Sequence, residues 1–223
     1  MLFHMVEYNS TIMDTALPAL NRRIASRVRD LRGERGLSLE DLASKSGVSR
    51  SMISLIERGE SSPTAVVLEK LATGLGVMLA AIFDSAPPAG VGKPVARRAD
   101  QPEWQDPASG YVRRNVSPAG VPQPMHIVDV RFPPGGRVAF ETGARAARVF
   151  QQVWVLEGAI DVTAGQERHS LREGDCLAMQ LDRPTMFHNP ARKAARYAVV
   201  FAEDAAGRPG PAKAGGRRRS TRR

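Results

Sequence analysis

In 223 residues the chain holds one cysteine and four histidines, little to support covalent or metal chemistry. Cys176 lies in a strand-like stretch with no histidine beside it to act as a base. A buried structural thiol is expected there, not a nucleophile. A lone cysteine cannot close an internal disulfide, and nothing calls for an oxidising compartment. His126 and His169 stand alone. No side chains fall at catalytic spacing, so no catalytic residue is expected and the chemistry to seek is recognition. The most specific pattern is Ala43, Gly47 and Ile53, at offsets of 4, 8 and 14 from Leu39. A small residue suits a close helix crossing, and Gly suits a turn that needs positive φ. Val48, Ile53 and Ile56 then fill the seam between two short helices. This is helix-turn-helix spacing; a generic helical hairpin is the alternative.

The charges are unevenly placed. The chain carries 32 Lys+Arg against 23 Asp+Glu, a net +9. Residues 207–223 alone hold seven basic groups and no acid, whereas residues 19–84 hold ten basic and eight acidic. Bulk charge is therefore a property of the tail and a poor argument for nucleic-acid binding by the folded part. Residues 207–223 are Gly- and Pro-rich and are expected to be disordered. The tail either only solubilises or attracts DNA phosphates non-specifically.

Around the motif, local signals predict five short helices within 19–84. Leu20, Ile24, Val28 and Leu31 recur at helical spacing, and Gly33 and Gly36 end that helix. Ser38 and Asp41 form a capping-box pattern before Leu39, Leu42 and Ala43. Ser49 caps a third helix that buries Met52, Ile53 and Ile56, with Gly59 as its stop. Pro63 is placed at the start of a fourth, carrying Val66, Val67, Leu71 and Leu75. A short fifth covers Leu79 to Phe83. Residues 1–18 show no period and are expected to be a disordered leader. Residues 85–110, broken by Pro87, Pro88, Gly90, Gly92, Pro94, Pro102 and Pro107, are expected to be a linker, with Trp104 packing onto the next domain. From 111 to 206 the pattern turns β. Met125–Phe132, Phe150–Leu156, Ala159–Thr163, Cys176–Leu181 and Tyr197–Phe201 are separated by Gly and Pro signals, as in a sandwich or small barrel. No apolar run approaches membrane-spanning length, and the first residues lack a secretory pattern. A cytoplasmic protein without a membrane partner is expected.

With the phrase Ser54-Leu55-Ile56-Glu57-Arg58-Gly59 and the Arg-rich helix before it, residues 20–84 resemble the phage-repressor-like (Cro/XRE-type) helix-turn-helix family. The resemblance implies that the second motif helix enters the major groove of DNA. Its first positions are Ser49, Arg50, Ser51 and Ser54. Arg50 suits a guanine edge, or equally a phosphate. Ser38 would present its hydroxyl and nearby N–H groups to a phosphate. Many relatives have Gln where this chain has Leu39, which removes that polar contact. Glu57 and Arg58 are expected to form a structural pair or a positioning contact.

The segment from Pro133-Pro134-Gly135-Gly136 through Val155-Leu156-Glu157-Gly158, then Gly174-Asp175 and Phe187-His188-Asn189-Pro190, resembles a cupin, a small double-stranded β-helix barrel. Together the two halves have the layout of bacterial regulators with a C-terminal cupin sensor. Metal-bearing cupins use three His and a Glu, and a divalent ion needs such converging donors. Here the Glu position is Gln151 and the later His position is Thr185. The paired His positions fall on Ala144 and Ala146, or Arg145 and Ala147. The resemblance therefore implies no cofactor and no metal; a rescued site from His126 and His188 is the alternative. What remains is a barrel able to hold an organic effector against Phe140, Thr142, Gln151, Val153, Thr185 and Phe187, unless these merely fill it. The expected function is a DNA-binding transcriptional regulator, more a repressor than an activator, binding an inverted-repeat operator as a homodimer. Two alternatives stay open: a cupin metalloenzyme fused to a helix-turn-helix, and a barrel that only dimerises.

Overall fold

The computed structural model of the protein describes residues 20–83, 92–121, 123–141 and 148–203. The expectations for a leader at 1–18, for the tail at 207–223 and for Thr142 lie outside these residues. None of the described helices is long and apolar enough to cross a membrane.

The first helix, α1, covers residues 20–34. It is followed by α2 (Leu39–Ser46), α3 (Arg50–Glu57), α4 (Ala65–Leu75) and α5 (Leu79–Phe83). Their limits follow from caps. Ser38 and Asp41 satisfy each other's backbone N–H groups in a full capping box at α2. Gly47 closes α2 at φ 67°, where a side chain would be strained, and its N–H donates to Ala43 O. Ser49 caps α3 and Thr64 caps α4. Pro63 therefore precedes the cap instead of opening the helix. Gly74 marks a tight crossing: a Cβ there would lie 2.8 Å from Ser46 Cβ, so α4 presses against the end of α2.

Ten strands follow. β1 is Glu103–Gln105, β2 Val112–Asn115, β3 Met125–Phe132, β4 Arg137–Phe140 and β5 Val149–Glu157. β6 is Ala159–Ala164, β7 Glu167–Arg172, β8 Cys176–Gln180, β9 Thr185–His188 and β10 Ala195–Glu203. They pair antiparallel in two sheets, β1-β2-β3-β10-β5-β8 and β4-β9-β6-β7. Strands β3 to β10 pass between the sheets in jelly-roll order, with β6 and β7 forming a hairpin within the smaller sheet, the cupin architecture. Alternation turns Val128, Val130, Phe132, Val153, Val155, Val162 and Val199 inward, where all are buried.

Two expectations need correction. The segment 85–110 is not merely a linker. Its described part forms a 3-10 turn at Arg98–Asp100 and then β1, which adds an edge to the larger sheet. Trp104 packs between Phe83 of α5 (ring centroids 5.4 Å apart) and Tyr111 (5.9 Å), so it seals both domains together. Asp106, buried, accepts the N–H of Ala65 at 2.9 Å, capping α4 from outside the helical domain. Cys176 is exposed, because its outward position in β8 points away from the barrel interior.

Candidate functional site

The first site is the outer end of α3. Ser49 spends its hydroxyl as the helix cap, accepting from Met52 N at 3.3 Å, and lies 3.2 Å from the Ser51 hydroxyl. Arg50 and Ser51 are exposed, and the Arg50 guanidinium makes no ion pair or hydrogen bond with another described residue. Ser54, half-buried, accepts from Arg58, whose guanidinium also donates to both carboxylate oxygens of Glu60 at 2.8 Å. Ser38 donates its hydroxyl to Asp41 at 2.6 Å, so the proton expected for a phosphate is committed inside the capping box. The Asp41 carboxyl is held below its usual range mainly by that hydrogen bond. Glu57 and Arg58 do not pair with each other. Glu57, its side chain 7% exposed, accepts two bonds from Arg32 of α1 at 2.7 and 2.8 Å, locking α3 to α1.

The second site is a cavity of about 780 Å³, counting its open mouth, between the barrel and the helices α4 and α5. Phe140, Gln151, Thr185 and Phe187 line it. Val153 does not. It faces inward but is fully buried in the packed core. Gln151 and Thr185 are each 4% exposed, and neither side chain hydrogen-bonds to another described residue. Phe140 and Phe187 meet edge to face at 6.2 Å, and Phe187 stacks on Tyr197 at 5.9 Å. Burial pushes the Tyr111 and Tyr197 hydroxyls well above their ordinary values, so both stay protonated.

The sequence reading missed the other wall. Glu69 of α4, with Met78, Leu79 and Ala80, closes the cavity from the helical domain. Arg113 of β2 also lines it, its guanidinium 5.1 Å from the Phe83 ring centroid. A signal existed: Val77 to Phe83 is apolar on every side, too apolar for a helix with one solvent face.

The donor set does not fit a divalent metal. The cavity presents a carboxamide and a hydroxyl where metal-bearing cupins present ligands, and residues 142–147 contain no His, Cys, Asp or Glu. Among the described residues no three His, Cys, Asp or Glu side chains gather in ligating range of one another. His188 lies on the outer face of the smaller sheet, 3.7 Å from Asp161, whereas His126 shares the inward register of Val128 in the larger sheet. The two do not converge.

A capped helix-turn-helix docked on a cupin barrel defines a class, the DNA-binding transcriptional regulators with a cupin domain. The helix-turn-helix family model HTH_3 matches residues 28–81. The chain is 27% identical over 179 residues to the HTH-type transcriptional regulator SutR of Escherichia coli (strain K12), covering 80% of this chain and 93% of that protein. It is 38% identical over 58 residues to the uncharacterized HTH-type transcriptional regulator y4dJ of Sinorhizobium fredii (strain NBRC 101917 / NGR234), covering 26% of this chain and 75% of that one. A crystal structure of an HTH_3 family transcriptional regulator from Vibrio cholerae superposes with a TM-score of 0.69 at 26% identity, over 83% of this chain and 97% of that chain. The chain belongs to the HTH-type transcriptional regulators of the XRE kind.

Proposed function

We propose that this regulator is an effector-responsive repressor whose cupin cavity binds a small organic molecule without a metal and thereby changes operator affinity. One observation carries the reading: two buried polar side chains, Gln151 and Thr185, face a cavity with mainly apolar walls and have no partner among the described residues. Ser49, Arg50, Ser51 and Ser54 meet the DNA, with Arg50 as the free guanidinium for a base edge. Ser38 contributes the first-turn N–H groups of α2 to a phosphate, not its hydroxyl.

The operator is an inverted repeat bound by a homodimer, because one short recognition helix reaches few bases. An exposed apolar surface supports the dimer. Met125, Ile127, Phe150 and Trp154 are exposed large apolar residues on the outer face of the larger sheet. Register sets Ala202 between Met125 and Phe150, and Val200 beside Ile127, so the apolar surface is continuous.

The test is a metabolite screen by thermal shift on the full chain, followed by operator binding. A ligand at 100 times its Kd should stabilise the protein by about 2.7 kcal/mol. Gln151→Leu should abolish the response to that ligand while operator binding stays near normal. Equal loss of both would assign Gln151 to folding, and stoichiometric metal after dialysis would overturn the metal-free reading.

A further inference from the structure

Resting on the reading of the cavity as an effector site, the geometry points to the effector's chemical class and to how it acts. We propose that the effector is an uncharged, largely apolar molecule with one head group that both donates and accepts hydrogen bonds. It seats that head on Gln151 and Thr185 and wedges its body against α5, displacing the DNA-binding domain directly.

The head group follows from Gln151 and Thr185, which line the cavity without a hydrogen bond to another described residue. A carboxamide brings two donors and an acceptor; a threonine hydroxyl brings one donor and two lone pairs. A hydroxyl or a primary amide on the ligand answers both. A charged head does not suit the site. The ionisable lining residues are Arg113 against Glu69 and Glu141, of opposite sign, and Glu141 is tied at the rim to Lys70 at 2.9 Å. Tyr111 and Tyr197 stay neutral. No surplus charge is present to offset the burial of an ion. The body is apolar because Val138, Phe140, Phe187, Val199 and Phe201 face it from the barrel.

The wedge follows from who owns the opposite wall. Met78, Leu79 and Ala80 belong to the helical domain. Arg27 of α1 donates to Ala81 O at 3.1 Å, so α5 is fastened to the helix that also holds Glu57 of α3 through Arg32. At the C-terminal end of α4, just before α5, Gly74 meets Ser46 of α2 with no room for a Cβ. These contacts leave α4 and α5 little freedom to give way alone, so a push on α5 moves α2 and α3 with it. The barrel side of the joint is held by Asn115, which donates to Ala80 O at 3.3 Å, and by the Asp106 cap on α4. These are the contacts the wedge strains.

The full-length protein is titrated with straight-chain alcohols, primary amides, carboxylates and amines of graded length. Calorimetry reads binding, and fluorescence anisotropy reads affinity for a duplex selected by the protein from random DNA. Alcohols and amides should bind at least about tenfold more tightly than carboxylates and amines of equal length. Saturation with them should shift operator affinity about 5- to 150-fold. Met78→Ala, or Leu79→Val should the first fail to fold, should shrink that shift to within about twofold at saturating probe. Each result overturns a different statement. If no series binds, the cavity is not an effector site and the underlying reading falls. If the charged series bind as well or better, the ligand class is wrong. If probes bind and shift operator affinity equally in the wild type and the α5 variant, the wedge is wrong.

Discussion

The recognition face and the barrel cavity treat their polar groups in opposite ways. On α3 the working side chains are exposed apart from the half-buried Ser54, and two are already satisfied: Ser49 caps its helix and Ser54 accepts from Arg58. Arg50 alone there is an exposed cation without a partner among the described residues. In the cavity the working side chains are buried and unanswered. A face that must dock repeatedly on a polyanion is kept rigid by its own hydrogen bonds and holds one free charge for reading. A site for a small ligand keeps its specificity in hydrogen-bonding groups turned toward the cavity and left unpaired by the protein. The same contrast separates what held in place means in each half. α3 is anchored by the part-buried Arg32–Glu57 ion pair, and the two walls of the cavity by the tilted Phe83–Trp104 ring contact across the domain joint.

The sharpest way to break this comparison is to remove the anchor of α3. Glu57→Ala leaves Arg32 facing a buried gap and should destabilise the helical domain by about 3 kcal/mol, read by thermal unfolding, with operator binding lost in proportion. Next in size, Arg50→Ala should cost about 1–3 kcal/mol on the preferred operator and relax preference at one base position per half-site. Equal losses on operator and random DNA would make Arg50 a phosphate contact. Asp106→Ala tests the joint itself. It removes the cap that the barrel side places on α4 and should cost about 1–2 kcal/mol, seen as a lower Tm.

The smallest effect is a pH dependence confined to the barrel. Burial pushes the Asp129 carboxyl up, but hydrogen bonds from Arg196 and Arg114 hold it below its ordinary value. Burial likewise opposes, and Ser170 and Arg168 outweigh it, at Asp161. A carboxyl depressed in the folded state contributes stability that is complete above its unfolded pKa and is lost as pH falls through the folded one. Barrel unfolding should therefore become easier only below about pH 4, and Asp129→Asn should flatten that dependence.

How far each half could be read from residues follows the same division. The helical motif was legible because its determinants are local: caps at Ser38 and Ser49, a turn at Gly47, and an apolar stripe repeating every three or four residues. The long central strands were legible too, and Met125–Phe132 falls on β3 residue for residue. The strands that escaped notice are short or polar. β7 reads Glu-Arg-His-Ser-Leu-Arg because it is an edge strand half open to water, and β2 carries Arg113 inward against Phe83. At the candidate site, Gln151 and Thr185 were visible as replacements within a known barrel pattern, with Phe140 and Phe187 as walls. The α5 wall was not: the all-round apolar run from Val77 to Phe83 signals burial, but no local pattern records that two domains share one cavity. Trp104 and Asp106 sat in a stretch whose Pro and Gly content hid a strand and a long-range helix cap.

The most direct test of coupling between the two regions is reciprocal. The tightest-binding straight-chain alcohol or amide is titrated calorimetrically into the full-length protein, once alone and once with the protein saturated by its selected operator. Linkage requires that the probe and the DNA alter each other's affinity by one and the same factor. For a repressor released by its effector, the probe should bind about 5- to 150-fold more weakly to the DNA-bound protein. An affinity unchanged by DNA would contradict the coupling and leave the barrel a binding or dimerisation module that does not report to α3.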